Sequence, residues 1–446
     1  MGPSERRPVA ILGAGLAGVT AAVALRQRGI PVRLYEAGKR IAGLAASFHD
    51  KDGFTNDFGA HFITNRLAAA VGVGACCRDV RHYGEAVLLR GKVYSYPLGL
   101  MRNPRFLLSG IAGRLTGGRT PSPPRSVAEW FRAAFGAALA KDVAIPLIEA
   151  WSGVSADLLA PTAVSEKLQH GISRTLWLRL AGQLTRRAVA NGYSHEMPER
   201  PSVWHVYPVG GVSVLVQRLA DGLGDAIQLE SPIEGIVVDS GRAVAVRVHG
   251  REEEVAAVIS TAPCHVLPRI TVGSDALQPL ARFRFRPMVF VNLRLRGRGL
   301  LPDTVLWTPE KDFPFFRVTE TTRSMPWLAP PGKTLLTVDL GCEAQDPTWS
   351  MPDDRLAATC VEALAPIIPD IRQRFLGAQV LRTPIAYPLF LNEYETDRLR
   401  LKQSTGVEGL YSIGRNGEFA HILMEDVYWR TLARVRQVAR DLQAAS

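Results

Sequence analysis

Cysteine and long apolar runs are both scarce in this sequence. The 446 residues include five cysteines, which form neither a metal-ligand spacing nor an even set of disulfide pairs. We therefore predict a reducing compartment and no metal site. Lys and Arg interrupt each apolar stretch before it reaches the ~18 residues of a membrane helix, so no transmembrane segment is predicted. The short charged N-terminus is unlike a signal peptide, and we expect a cytoplasmic protein.

Acidic residues are outnumbered as well. The chain has 53 Lys and Arg against 42 Asp and Glu, a net charge of +11. Arginine spread through the chain is typical of solvated surface, while an anionic substrate and peripheral contact with an acidic membrane remain open alternatives. No nucleic-acid motif accompanies the arginine clusters at 179–187 and 282–286, so we predict no nucleic-acid partner. The sequence specifies no oligomeric state.

The clearest positive signal lies between Val9 and Glu36. A short apolar run leads into a G-x-G-x-x-G segment, a helix-forming stretch follows, and a second apolar run ends on Glu36. Strand, glycines, helix, strand and acid in this order predict a Rossmann-type dinucleotide site. A glycine-rich turn of another α/β fold is the alternative.

Each glycine of that segment has a physical role. Gly13 permits the tight turn, Gly15 lets the backbone approach a pyrophosphate, and Gly18 lets the helix pack closely on the strand. The helix begins around Leu16 and Ala17, whose free N–H groups favour a phosphate. Glu36 stands where an acceptor for ribose hydroxyls is expected.

Residues 37–48 resemble the arginine-x-Gly-Gly motif of two-domain FAD enzymes. That superfamily includes amine oxidases, protoporphyrinogen oxidases, carotene desaturases and UDP-galactopyranose mutases. The resemblance implies a non-covalent FAD, with Glu36 on the adenosine ribose and Arg40, Gly43 and Leu44 along the pyrophosphate and flavin. Ala42 stands where a first glycine is usual, and Leu44 where amine oxidases often carry arginine.

Residues 52–64 look like the hairpin that ends in Asp-x-Gly-x-His at the flavin ring in the same superfamily. On that resemblance Gly59, Ala60 and His61 contact the cofactor, and His61 is also a catalytic candidate. A satisfied buried imidazole is the alternative for His61. Thr64 stands where galactopyranose mutases usually have a second histidine.

The stretch 409–427 resembles the second FAD motif of the superfamily, a strand and glycine turn leading to a helix N-terminus. In relatives, the residue matching Ile233 contacts adenine through its backbone. The resemblance therefore adds cofactor contacts at Ile233, Gly414, Arg415, Glu425, Asp426 and Val427.

Tyr387 and Tyr394 lie in a segment that resembles one presenting tyrosines near substrate and flavin. Both are catalytic candidates, and ordinary strand-face tyrosines are the alternative. The expected partner is a small-molecule substrate.

The positions of these motifs predict how the chain divides into two domains. We predict an α/β fold in which a discontinuous Rossmann-type FAD-binding domain (1–65, 204–266 and 403–446) carries an inserted mixed α+β substrate domain (66–203 and 267–402). The predicted function is an FAD-dependent oxidoreductase that takes hydride from a C–H bond of a small or medium metabolite. The alternatives are a non-redox flavin-dependent sugar mutase and a non-catalytic binding protein on the same fold.

Overall fold

A computed structural model describes residues 7–59, 61–117, 123–165 and 172–444, and the structural statements below concern these ranges. Ala60, one of the predicted cofactor contacts, lies outside the described residues.

The strands, numbered in chain order within the described ranges, are β1 (Val9–Leu12), β2 (Val32–Tyr35), β3 (Ser47–His49), β4 (Thr55–Asp57), β5 (Ile63–Thr64), β6 (Cys77–Asp79), β7 (Glu85–Leu89), β8 (Lys92–Ser95), β9 (His205–Pro208), β10 (Ile227–Gln228), β11 (Ile233–Asp239), β12 (Arg242–Val248), β13 (Arg251–Glu254), β14 (Ala257–Ser260), β15 (Thr271–Val272), β16 (Phe285–Arg296), β17 (Val305–Trp307), β18 (Arg317–Glu320), β19 (Lys333–Gly341), β20 (Phe375–Pro388) and β21 (Leu410–Ser412).

The α-helices, numbered in the same way, are α1 (Leu16–Arg26), α2 (Asn65–Val71), α3 (Leu98–Met101), α4 (Pro104–Gly117), α5 (Val127–Phe135), α6 (Ala137–Leu139), α7 (Ile145–Ser152), α8 (Thr162–Ser165), α9 (Ile172–Thr185), α10 (Ser213–Ala220), α11 (Leu267–Ile270), α12 (Thr321–Ser324), α13 (Pro347–Ser350), α14 (Asp353–Leu364), α15 (Ile371–Arg374), α16 (Glu395–Gln403), α17 (Gly414–Gly417) and α18 (Met424–Ala444).

A five-stranded parallel sheet with the order β10-β2-β1-β14-β21 is assembled from three distant parts of the chain. Val9 in β1 pairs with Val32 on one side and with Ala257 on the other. β1 and β14 are buried along their whole length, which accounts for their continuous apolar sequences. Helix α1 packs against α18 beside this sheet. The predicted α/β fold class is confirmed.

A second sheet has the order β20-β16-β19-β18-β17-β7-β8 and is antiparallel except for the parallel pair β17 and β7. Side chains along its strand β16 alternate between two apolar environments. Val289 and Val291 pack in a cluster with α14, whereas Met288 and Phe290 pack on the other face with Trp151. Side chains of α3, α4, α6 and α7 pack on the second face.

Two short strands pair across the predicted domain boundaries. β6, inside the predicted substrate segment 66–203, pairs with β9, and β15, inside 267–402, pairs with β11. Each pairing joins a predicted substrate segment to a predicted cofactor segment, so strands of both predicted domains share these two sheets.

The predicted helix start at Ser126 is present in α5. The Ser126 hydroxyl accepts a hydrogen bond from the Glu129 backbone N–H at 3.2 Å. The Glu129 carboxylate accepts from the N–H of Arg125, one residue before the position that a standard capping box uses. In the described part of the chain, no helix is both long enough and apolar enough to cross a bilayer.

Candidate functional site

A cavity of about 1640 Å³ is lined by residues from the predicted cofactor segments and from the predicted substrate segments. It brings together predicted residues from the first glycine motif, the hairpin, the tyrosine segment and the C-terminal motif. The predicted residues that line it are Gly13, Gly15, Leu16, Ala17, Glu36, Gly43, Leu44, His61, Tyr387, Gly414, Arg415 and Val427.

The three glycines of the first motif are required for different reasons. Gly13 has a φ of +94°, and a Cβ there would come within 2.5 Å of the Thr261 hydroxyl. A Cβ on Gly18 would overlap the Gly13 carbonyl oxygen, so Gly18 serves packing and does not line the cavity. A Cβ on Gly15 would meet no atom within 4 Å, and this glycine faces the cavity. Open space above a backbone at a helix start is the geometry that a pyrophosphate needs.

Glu36 follows directly after β2, at the carboxyl end of the parallel sheet. Its carboxylate accepts hydrogen bonds from the backbone N–H groups of Ala14 and Gly38, both at 2.8 Å. These bonds hold the side chain beside the glycine turn, where it lines the cavity. The position fits an acceptor for ribose hydroxyls.

The segment from Arg40 to Leu44 divides into a surface part and a cavity part. Arg40 is exposed, and its guanidinium lies 4.4 Å from the centre of the Phe48 ring, so its side chain does not line the cavity. Ala42 has a φ of +92°, which glycine adopts more readily than alanine. Its N–H donates to the carbonyl of Ala14 at 2.9 Å, which ties this turn to the glycine motif.

His61 is half-buried and lines the cavity. Burial, together with the nearby positive charges of Arg415 and Arg317, lowers its pKa to about 4. The imidazole is therefore neutral at pH 7, and its Nδ1 has no hydrogen-bond partner among the described residues. Gly59 precedes it with a φ of +80° and packs against Phe290 outside the cavity lining.

The second glycine motif rests directly on the first. Gly414 has a φ of +78°, and a Cβ on it would lie 2.7 Å from the Cβ of Ala17. Arg415 next to it is half-buried, and it donates to the carbonyls of Ile422 and Ala386, each at 3.0 Å. Burial lowers the pKa of this guanidinium, and no carboxylate within the described ranges forms an ion pair with it. Arg317, the other arginine near His61, is paired with Asp339.

An aromatic cluster occupies the middle of the cavity wall. His421 stacks on Trp151 with ring centres 5.3 Å apart, and both rings contact Tyr387. Arg415 lies over the other side of this group, 5.1 Å from the Tyr387 ring centre. The sequence analysis did not identify His421, because it lies in an irregular segment between α17 and α18 that has no periodicity.

Some predicted residues lie away from the cavity. Tyr394 packs in the core against Phe283, and its hydroxyl donates to the Arg282 carbonyl at 2.6 Å. Its position therefore gives no support to a catalytic role. Ile233 begins β11 and is also absent from the cavity lining, so only its backbone remains a candidate contact.

Two carboxylates at the start of α18 have protein partners rather than a place in the cavity. Glu425 accepts from the Thr64 hydroxyl at 2.9 Å and from Arg66 at 2.6 Å. Asp426 accepts from the Ser194 hydroxyl at 2.7 Å. Their side chains therefore fasten α18 to neighbouring segments, while Val427 lines the cavity.

The far end of the cavity is apolar and was not predicted. Its wall comes from helices of the predicted substrate segment 66–203, called the first insertion below. Phe106, Trp130, Phe135 and Leu147 are among the side chains. These residues look like ordinary core positions in the sequence, because an apolar helix face that lines a cavity has the same periodicity as one that packs a core.

A flavin nucleotide fits the opposite end of the cavity. Gly15 leaves backbone open to it, and five lining residues each have a buried polar atom without a partner among the described residues. Three of these atoms belong to the predicted cofactor motifs, namely His61 Nδ1, Arg415 Nε and Asn416 Oδ1, and the other two are Asn191 Oδ1 and His205 Nδ1. Unpaired buried polar groups are costly unless a ligand satisfies them. The described residues contain no group of three or more His, Cys, Asp or Glu that could hold a metal ion.

Solved structures show where this fold occurs. The chain is similar to reduced UDP-galactopyranose mutase, with a TM-score of 0.78 and 20% identity over 97% of this chain and 94% of that one. It is similar to cyclohexylamine oxidase from Brevibacterium oxydans, with a TM-score of 0.71 and 16% identity over 98% and 100%. At these identities the likeness establishes the fold alone.

Sequence comparison gives the family. Hydroxysqualene dehydroxylase of Zymomonas mobilis is 48% identical over 54 residues, which are 12% of this chain and only 13% of that relative. The family model described as flavin containing amine oxidoreductase matches residues 16–428. The predicted resemblance to the FAD-dependent superfamily is thereby confirmed. The chain belongs to the flavin-containing amine oxidoreductase family.

Proposed function

We propose that this protein holds FAD non-covalently and oxidises a predominantly apolar substrate by taking hydride from one of its C–H bonds. The family supplies the flavin and the oxidoreductase class. The observation that carries the rest is one continuous cavity, built from backbone and polar groups at one end and from apolar side chains at the other.

The size of the cavity supports a substrate of substantial length. Ligand cavities commonly have volumes of about 300–1,000 Å³. At about 1640 Å³, this cavity has room for a dinucleotide and a second molecule together. The walls beyond the aromatic cluster are apolar, so they favour a substrate with a hydrocarbon body.

The residues between the two ends would orient the reactants. A bound flavin supplies a hydride acceptor. Neutral His61 presents an unpaired Nδ1 to the cavity, where it accepts a hydrogen bond or a proton from a bound group. The stacked pair Trp151 and His421, with Tyr387 edge-on to both rings, forms an aromatic surface that would restrict how a substrate lies.

Cofactor binding is tested on the purified protein. We expect a yellow protein that releases FAD quantitatively in acid. Glu36→Ala should weaken FAD binding by about 1–3 kcal/mol, because charged hydrogen bonds to the ribose are lost. Glu252→Ala, on the exposed strand β13, is the matched control. A colourless protein that ignores added FAD would refute the proposal.

Reaction and substrate class are tested by anaerobic mixing of oxidised enzyme with a homologous series of alkyl substrates. We expect flavin bleaching, with kcat/KM rising about fourfold for each added CH₂ group, the equivalent of ~0.8 kcal/mol of burial. Recovery of colour with an electron acceptor completes the cycle. Values of kcat/KM that are independent of chain length would contradict the apolar substrate.

A non-redox mutase is the second candidate. Arg415 lines the cavity without a carboxylate partner among the described residues, which favours an anionic group nearby. Turnover that requires prior flavin reduction and leaves the flavin reduced would favour this reaction over oxidation.

A further inference from the structure

Apolar side chains form part of the rim of the cavity. Leu107 and Ile111 of α4 line the cavity and are also 45% and 48% exposed, so they stand at its rim. Met101 of α3 also lines the cavity and is 36% exposed. Gln183 of α9 is likewise an exposed lining residue. We call α3, α4 and α9 the entrance helices.

The entrance helices expose further apolar residues that do not line the cavity. Leu108 is 65% exposed on α4, and Trp177 and Leu184 are 58% and 76% exposed on α9. Trp177, Leu180 and Leu184 follow an i, i+3, i+7 spacing, which places them on one face of α9. Large apolar residues grouped in this way mark a surface that another phase or partner covers.

The sequence around these residues carries charge of one sign, although acids from other segments pair with several of its arginines: Asp142 with Arg90 and Arg105, Glu129 with Arg125, and Asp79 with Arg187. No Asp or Glu occurs in 86–128 or in 167–195, the two stretches that contain the entrance helices. The basic residues of these stretches are Arg90, Lys92, Arg102, Arg105, Arg114, Arg119, Arg125, Lys167, Arg174, Arg179, Arg186 and Arg187. Arg102 and Arg186 are exposed and form no ion pair with other described residues. Much of the positive excess of the chain is thus concentrated here.

We propose that the entrance helices dock on an anionic phospholipid bilayer, so that an apolar substrate passes from the lipid into the cavity. Exposed Leu and Trp would enter the acyl boundary, and the arginines would contact lipid phosphates. The combination of exposed apolar side chains, the exposed arginines Arg102 and Arg186 and a largely apolar cavity fits a bilayer better than an acidic protein, which offers no apolar phase. The passage of substrate rests on the proposed function, whereas the docking itself does not.

Vesicle flotation of the full-length flavin-loaded protein tests the docking. We expect binding to vesicles of phosphatidylcholine and phosphatidylglycerol, weaker binding to phosphatidylcholine alone, and a decrease with added salt. Replacing the three exposed residues together (Leu108→Asp, Trp177→Asp and Leu184→Asp) should reduce binding about tenfold or more. Leu399→Asp, at an exposed leucine on α16, is the matched control and should bind normally.

Melting temperature and bound flavin, measured on every variant, separate loss of docking from loss of folding. Arg102→Glu, which leaves the apolar residues in place, should reduce binding to anionic vesicles alone. The proposal is overturned if the wild type does not float with anionic vesicles, or if the triple variant floats as well as the wild type. It is also overturned if light scattering shows that the wild type is a dimer and the triple variant a monomer, because a second copy of the chain would then cover the surface.

The two proposals fail in different ways. If vesicle binding depends on the three apolar residues but no alkyl substrate bleaches the flavin, the docking surface stands and the proposed function falls. The opposite result is that detergent-solubilised substrate bleaches the flavin in the wild type and in the triple variant, while neither protein binds vesicles. The proposed function then stands and the docking surface falls.

Discussion

The two ends of the cavity are built from different parts of the polypeptide. At one end the main chain itself forms the surface, with Gly15 open to the cavity and Gly414 resting on Ala17. At the other end side chains such as Phe106 and Trp130 form it, and the main chain lies behind them. A surface made of backbone admits few residue types, whereas a surface made of apolar side chains admits many.

This difference separates what is shared from what is specific. Backbone N–H groups recognise a phosphate in the same way whatever substrate the enzyme takes, so the glycine end serves the common cofactor. The apolar end has no such constraint, and its shape can change by single substitutions that keep the core packed. Substrate choice in this chain is therefore expected to reside in the first insertion.

The largest effect is expected at Gly18, against Gly15 as its matched comparison. Gly18→Ala should lower the free energy of unfolding by about 3–5 kcal/mol, because the new methyl group overlaps the Gly13 carbonyl oxygen. Gly15→Ala should leave the melting temperature nearly unchanged and weaken FAD binding, because its Cβ meets only the cavity. Denaturant unfolding and flavin titration measure the two quantities. Equal losses of stability would show that both glycines serve packing.

A smaller effect is expected from the buried histidines as pH falls. Burial lowers the pKa of His205 to about 4, so between pH 6.5 and pH 4 the unfolded chain binds a proton that the folded chain does not. The free energy of unfolding should therefore decrease as pH falls through this window. His205→Phe, in a pocket of aromatic rings, should remove about 2 kcal/mol of the decrease between pH 7 and pH 5.

Asp57 acts in the opposite direction, because burial raises its pKa to about 6 and the folded chain binds a proton there first. The test is therefore the difference in the free energy of unfolding between His205→Phe and the wild type, measured by urea unfolding at each pH. If the free energy of unfolding depends on pH in the same way in both proteins, His205 takes up a proton as readily in the folded chain as in the unfolded chain.

The two tyrosines predicted from sequence sharpen the comparison further. Tyr387→Phe should change kcat by about tenfold or less, because its ring contacts the cavity cluster. Tyr394→Phe should leave kcat unchanged and cost about 1 kcal/mol of stability, since only a hydrogen bond to Arg282 is lost. A slower Tyr394→Phe enzyme with normal stability would restore the catalytic interpretation.

The smallest effect is expected at Ala42, where the backbone end departs from the usual motif. Ala42→Gly should raise the free energy of unfolding by up to about 1 kcal/mol, because glycine adopts a φ of +92° without the strain of a Cβ. Ala45→Gly, close by in ordinary geometry, should be destabilising and serves as the control. A destabilising Ala42→Gly would mean that the methyl group packs usefully.

Sequence reasoning succeeded where the chemistry of the backbone restricts the residue. The order of strand, Gly13, Gly15, Gly18 and Glu36 predicts the parallel sheet and the cofactor end, because few other residues permit those contacts. The sequence is less informative where a side chain has a choice of partners. The cofactor contact of Glu425 stays a prediction, and the structure shows that its carboxylate binds Thr64 and Arg66.

The apolar end and His421 could not be predicted for a related reason. Nothing in a helical pattern distinguishes a leucine that packs on a neighbour from one that lines a cavity, since both are hidden from bulk water. His421 becomes notable only when folding brings it onto Trp151, which is far away in the sequence.

The order of strands in the parallel sheet has a consequence for how the protein is made. β14 pairs with β1, from the start of the chain, and with β21, which is near its end. During synthesis, β1 and β2 leave the ribosome long before β21 exists, and one edge of β14 stays unpaired in the meantime. Such high sequence separation slows folding and exposes strand edges to aggregation. A chain interrupted before Leu410 should therefore depend on chaperones and fail to retain flavin, even though its first glycine motif is complete.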